Sequence, residues 1–179
     1  MRALVGVSAL VSFALAFGVA GGVLAKDVRS SVSPPALVVQ VPESAVIQAN
    51  SDGGDTVFLQ QGKLPMLTVG NESGDATALM AGTSAALDQV AGNFRDGVAR
   101  SGLTVGAPAA TGKTTVAGLT AYGYTAGVQS AKGWTADIQF WIIPIDAGHV
   151  AFVSVLGKAD DPGVALLERD IRAATLSDR

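Results

Sequence analysis

The alternation of apolar and polar positions is clearest over residues 114–158. Trp134, Ala136, Ile138, Phe140 and Ile142 alternate with Thr135, Asp137, Gln139, Trp141 and Ile143. A period of two marks a strand with one apolar face, and here the opposite face is polar only over its first half. Val116, Gly118, Thr120, Tyr122 and Tyr124 alternate similarly in the strand ahead of it. Residues 149–156 are apolar on both faces, as in a strand covered on both sides. Residues 130–133 and 146–149 separate the three strands, each with a glycine suited to a hairpin. Pro144 falls near a strand end, where a missing N–H disturbs the ladder least. The pattern predicts an antiparallel meander that organises the rest of the chain.

Ahead of the meander, residues 36–47 read as a strand region broken at Pro42-Glu43-Ser44. A turn cluster at 51–55 precedes a strand at 56–59, and 63–70 forms another, with Pro65 placing it toward an edge. Asp75 is the expected N-cap of a first helix with the stripe Met80, Thr83, Leu87, Val90, Phe94 and Val98, closing at Ser101-Gly102. Gly82, Gly92 and Gly97 weaken that helix by about 1 kcal/mol each against alanine, so docking on the sheet must hold it. Residues 103–113 read as a connection with room for a short strand at 103–105. Asp160-Asp161-Pro162 caps a second helix that buries Val164, Leu167, Ile171 and Ala174 and turns Glu168, Arg169, Asp170 and Arg172 to solvent. The expected class is α+β, an antiparallel sheet with helices packed on it.

Residues 1–25 stand apart: a basic Arg2, a nearly unbroken apolar or small run, then Val23-Leu24-Ala25 before Lys26-Asp27. That is the pattern of a cleaved signal peptide; the competing reading is an uncleaved anchor, since about 20 apolar residues can span a bilayer. The expected organisation is a signal peptide at 1–25, a Ser-rich linker at 26–35 and one domain at 36–179. The localisation that follows is exported, periplasmic or secreted, with membrane contact only where the leader is retained.

Arg2 is the only charged residue of the leader, so 11 of 12 basic and all 15 acidic residues remain after it, a net charge of −4. An acidic chain with no basic run is a poor partner for nucleic acid or anionic lipid. The chain has no cysteine, which excludes disulfides, thiolate chemistry and a lipid-modified cysteine at the cleavage site.

Most chemical constellations fail on spacing. Gly106 to Thr114 resembles a phosphate loop, but five residues precede Gly112-Lys113-Thr114 instead of four, and a strand pattern follows where a helix is required. That segment reads as a surface turn, with no nucleotide partner. Gly82-Thr83-Ser84-Ala85-Ala86 is one residue short of a nucleophile elbow and lies within helical periodicity. The carboxylate pairs Asp52/Asp55 and Asp160/Asp161 lack the ligand number of a calcium loop. A lone histidine without cysteine does not make a transition-metal site, and no cofactor is expected.

The candidate binding residues are Trp141, Tyr122, Tyr124 and His149. Tyr122 and Tyr124 share one strand face, and Trp141 lies opposite Phe140. The aromatic side chains either form an exposed platform or, as the continuing run Ile143 and Ile145 favours, Trp141 is buried by a helix. His149, at a turn-to-strand boundary, is the single imidazole available to a hydrolase.

The order strands, helix, meander, helix resembles the PsbP-like family, with its LpqN-type relatives. The local echoes are Thr115-Val-Ala-Gly118-Leu-Thr-Ala-Tyr122 after the first helix and Phe152-Val-Ser-Val-Leu156 before the last. The resemblance spans about residues 36–176 and rests on element order more than on motifs. It implies an α/β/α sandwich around an antiparallel sheet and a non-enzymatic role in binding an envelope protein or an assembly. Two other readings stay open: a small hydrolase using His149 and a carrier of a small apolar ligand.

Overall fold

The computed structural model describes residues 27–31, 33, 35–50 and 54–177. The leader read at 1–25 and Asp52 lie outside them. In chain order the elements are β1 (Asp27–Arg29), β2 (Ala36–Gln40), β3 (Val46–Ala49), β4 (Asp55–Gln60), β5 (Lys63–Ser73), α1 (Thr77–Met80) and α2 (Ser84–Ala99). Then follow β6 (Leu103–Val105), β7 (Ala109–Val116), β8 (Leu119–Ser130), β9 (Thr135–Asp146), β10 (His149–Gly157), α3 (Pro162–Arg172) and β11 (Thr175–Ser177). An eight-stranded sheet runs β3-β4-β5-β10-β9-β8-β6, with β7 also paired to β8, and β1-β2-β11 form a second, three-stranded sheet.

Strand alternation divides the core in two. Met66, Ile138, Phe140, Ile142, Val150 and Phe152 point to α1 and α2, where they meet Leu79, Leu87, Val90, Phe94 and Val98. Leu67, Val69, Trp141, Ile143, Val153 and Val155 point the other way, to α3 and the small sheet, meeting Val28, Leu37, Val39, Val164, Leu167 and Ile171. The large sheet is therefore covered on both faces at β10, which is why residues 149–156 show no alternation of polarity. The α+β architecture, an antiparallel sheet between helices, is the one that the element order implies.

The meander strands at 135–146 and 149–157 stand as the periodicity indicates, but the strand ahead of them does not run through. Ala117 (φ 52°) and Gly118 (φ 77°) make a two-residue turn, and β7 folds back on β8 with Val116 opposite Leu119. Positive φ at both central residues is the hairpin turn that matches strand twist. The reversal shifts parity, so Val116 shares a face with Ala121 and not with Tyr122. Residues 109–113, read as connection and turn, thus belong to a strand, and Lys113 lies within it opposite Tyr122.

Four other expectations change. Residues 26–35 are not merely a linker: β1 pairs β2, Val28 is fully buried, and the Leu37 N–H donates to Ser30 Oγ at 2.9 Å. Strand β5 is internal, between β4 and β10; Pro65 precedes the first β10 pair, Met66–Leu156, at an irregularity in the β4 ladder, so no regular bond is lost. The first helix is two: α1 ends at Met80, Gly82 turns at φ 68°, and α2 begins at Ser84, leaving Met80 and Thr83 exposed outside the stripe. Asp75 accepts the Thr77 N–H at 3.0 Å but stands one residue before Ala76, the N-cap of the short helix, and Thr83 is the N-cap of the long one, so Asp75 is the N-cap of neither. Asp170 is 9% exposed, not solvent-facing, and accepts two hydrogen bonds from Arg169, at 2.8 and 3.1 Å. Asp161 does cap α3, accepting the Gly163 N–H at 2.8 Å, with Pro162 in the first turn.

Candidate interaction surface

The residues singled out from the sequence do not converge. Trp141 is 9% exposed on the α3 side, beside Gly123 of β8. Tyr122 and Tyr124, 6% and 5% exposed, lie on the opposite face beneath the α1–α2 layer. The sheet separates the indole from both phenols, so these residues form no common platform. Tyr124 stacks on Phe140 at 5.4 Å, and its hydroxyl donates to Asp88 Oδ1 at 3.3 Å. Burial, then the Asp88 charge and hydrogen bond, push its pKa up.

His149 opens β10, with Nδ1 2.9 and 3.0 Å from the two carboxylate oxygens of Asp146. Asp146 also accepts the Gly148 N–H at 2.7 Å, and that bond, followed by the one to His149, holds its carboxyl below the usual range. Ser73 stands opposite His149 in the β5 register. The three share a row, but the imidazole is 34% and the carboxylate 50% exposed at a hairpin. The Ala147 and Gly148 carbonyls of the same turn accept the Ala76 and Gly74 N–H groups, so the Asp146–His149 pair clasps a turn sewn to the entrance of α1.

The face beside α2 offers a surface that no sequence motif marks. Register aligns Gln48, Thr56, Thr68 and Ser154 in one row across β3, β4, β5 and β10, running up to Phe140 under α2. The next row is Val46, Phe58, Met66 and Leu156. Gln48, Thr56, Thr68, Val46 and Phe58 are all half-buried, whereas the same row becomes buried at Ser154 and Phe140. Thr56 Oγ1 donates to Asn50 Oδ1 at 3.1 Å, while Thr68 Oγ1 is shielded from solvent and has no hydrogen-bond partner among the described residues. A polar group left so costs about 1–3 kcal/mol. Patterning misses the row because its members come from four strands, one residue from each. The signal was present only as threonine at alternate positions of apolar strands.

Elsewhere among the described residues, an open cleft of about 240 Å³ lies between Thr135–Asp137 and Lys158–Asp160, lined mainly by polar atoms. No group of three or more histidine, cysteine, aspartate or glutamate side chains converges there as a metal site. No helix among them is long and apolar enough to cross a membrane.

A large antiparallel sheet with helices on both faces and a small accessory sheet is a PsbP-like α+β fold. Cyanobacterial PsbP (CyanoP) from Synechocystis sp. PCC 6803 superposes over 90% of this chain and 99% of its own, with a TM-score of 0.59 and 12% identity. LpqN of Mycobacterium tuberculosis, a protein involved in cell envelope biogenesis, covers 85% of this chain and 91% of its own, with a TM-score of 0.53 and 13% identity. At these identities the likeness is one of fold. No family model matches the sequence, and no curated protein matches it.

Proposed function

We propose that this protein is an exported, non-enzymatic binding module of the cell envelope that acts through protein–protein contacts as an accessory to an assembly. The observation that carries the reading is the half-buried row Gln48–Thr56–Thr68, flanked by Val46 and Phe58. It sets hydrogen-bonding groups beside apolar ones, and the Thr68 hydroxyl has no partner among the described residues. A half-buried surface of mixed polar and apolar groups suits a protein partner better than a small ligand, which needs a concave, largely enclosed site. The involvement of LpqN in cell envelope biogenesis and the leader pattern at 1–25 support the same address. His149 and Asp146, exposed on a hairpin, support turn closure more than hydrolysis.

A photo-reactive residue at position 56, and as a control at Arg172 on α3, tests this in the native envelope. The expected result is one discrete adduct from position 56, lost in Gln48→Arg and absent from position 172. The same adducts from both positions, or none from position 56, would overturn it.

A further inference from the structure

The two edges of the large sheet are built differently. At one, β7 runs along β8 with an irregularity between Ala110 and Gly112 and a lysine, Lys113, directly after it. Bulges and lysines are devices that keep an edge strand from pairing with another chain. At the other edge lies β3, Val46-Ile47-Gln48-Ala49, with no charge, no proline and an unbroken register to β4. What limits pairing there is its length of four residues.

Register decides which backbone groups β3 leaves open. The Asn50 N–H donates to the Gly54 carbonyl at 2.8 Å, and the pairs Gln48–Thr56 and Val46–Phe58 continue that hydrogen-bonded phase at every second residue. Ile47 and Ala49 fall in the alternate phase, so their N–H and C=O groups point away from β4. Among the described residues no strand pairs with them from that side. The side chains divide by parity. Val46 and Gln48 are half-buried on the α2 side, Ile47 packs toward the α3-side core, and Ala49 is exposed.

We propose that β3 pairs along this edge with β3 of a second copy of the chain, antiparallel about a two-fold axis at Gln48. Phase selects that register. Ile47 meets Ala49 of the second copy, and Ala49 its Ile47, each pair exchanging both backbone bonds. Gln48 then faces its own copy in the non-hydrogen-bonded position, where side chains stand closest. A one-residue slip would set the outward groups against groups already spent on β4, and a two-residue slip would leave only one such pair within the strand. The side chains suit a copy as partner. A carboxamide both donates and accepts, so Gln48 is its own complement, as a lysine or glutamate would not be. On the other face Ile47 lies against Ala49, apolar against apolar, and β3 opposes no charge to itself. A two-fold interface demands such self-complementarity. Edge pairing leaves the α2-side face open, so Thr68, Thr56 and Gln48 run on into the same residues of the second copy as one polar row. The contact is small, so the dimer is weak and forms as concentration rises. It needs no other protein and stands or falls apart from the function proposed above.

Disulfide trapping tests it, since the chain has no cysteine of its own. Gln48→Cys, Thr56→Cys and Lys113→Cys are each made in the protein as its own cell produces it, purified, and oxidised with glutathione disulfide. On the axis, the Cα at position 48 lies about 4.5 Å from that of its copy, within disulfide reach. Thr56 stands three strand spacings from its copy, about 14 Å, and is out of reach. The expected result is a disulfide dimer from Gln48→Cys that grows with protein concentration, about tenfold faster than from the other two positions. Ala49→Pro, added to Gln48→Cys, removes an outward N–H without touching the β4 ladder and sets its ring against the second copy. It slows trapping about tenfold, with an unchanged urea midpoint showing that the fold is kept. The three single cysteines decide the matter by themselves where the proline variant is unstable. Equal trapping at positions 48 and 56, or trapping at 48 indifferent to Ala49→Pro in a folded protein, overturns the proposal and leaves the edge to a foreign strand or to solvent.

Discussion

Trp141 stands opposite Gly123, its Nε1 3.4 Å from where a Cβ on that glycine would lie. The same Cβ would collide with Thr111 Oγ1 and stand 3.5 Å from the Gly112 carbonyl oxygen. Gly123 thus provides the gap between the indole and the irregular stretch of β7 where Thr111 is passed over in the register. Gly123→Ala forces at least the Thr111 side chain to move, and Gly123→Val also displaces the indole. The expected losses rise from the first to the second, reaching about 1–3 kcal/mol for valine. Equal urea midpoints for wild type and Gly123→Val would show that the gap is not structural.

Each face of the sheet has one dominant anchor. Phe94 of α2 stacks on Phe140 at 4.2 Å and faces Phe152 at 6.5 Å, and Ile171 of α3 is 1% exposed on the other side. Phe94→Ala is expected to lose about 3–5 kcal/mol and Ile171→Ala about 2–5 kcal/mol. Chemical denaturation reads both, and a near-unchanged midpoint in either contradicts the burial assigned to that face.

The cap on α3 is a separable contribution. Asp161 accepts the Gly163 N–H and Pro162 presets the first turn. Asp161→Ala is expected to lower stability by about 1 kcal/mol, with Asp161→Ser recovering most of it. Equal losses in the two variants would mean that the carboxylate acts by something other than capping.

Acid stability should divide among three aspartates. Hydrogen bonds from the Gly148 N–H, then from His149, lower the pKa of Asp146, and the Thr77 N–H lowers that of Asp75. A depressed folded pKa adds stability that is complete above the unfolded value, about 4, and is lost as pH falls through the lower folded one. Asp55 has the opposite sign: burial raises its pKa against the opposing Arg29 N–H, so its contribution is present in acid and lost as pH rises through the folded value. Urea midpoints across pH should therefore fall less steeply in acid for Asp146→Ala and Asp75→Ala. Asp55→Asn should remove a decline on the way to neutrality. Parallel curves for all four proteins would refute the assignment.

Some of this was legible in residue order and some could not have been. Asp161-Pro162 and the stripe Val164, Leu167, Ile171 announce α3 because capping and helical period are local. Residues 149–156 announce a strand covered twice because both parities are apolar. The Ala117–Gly118 turn escaped because alanine rarely takes positive φ, and a two-residue hairpin interrupts neither the β-branched composition nor the apparent alternation. Strands β1 and β11 have three residues each, too few to show a period. Gly82 was visible only as a weak point in a helix. That Lys113 lies over the Tyr122 ring depends on which strand β7 pairs with, and no local pattern carries that.

Strands β1 and β11 lie on either side of β2, on the α3 side of the large sheet. Chain leading into Asp27 and chain continuing from Ser177 are thus routed through the same three strands. Such a layout acts as a handle on the back of the molecule. A tether fastened at either place would sit on the side of the large sheet opposite Gln48, Thr56 and Lys113. The partner surface proposed above would then lie on the side away from the attachment.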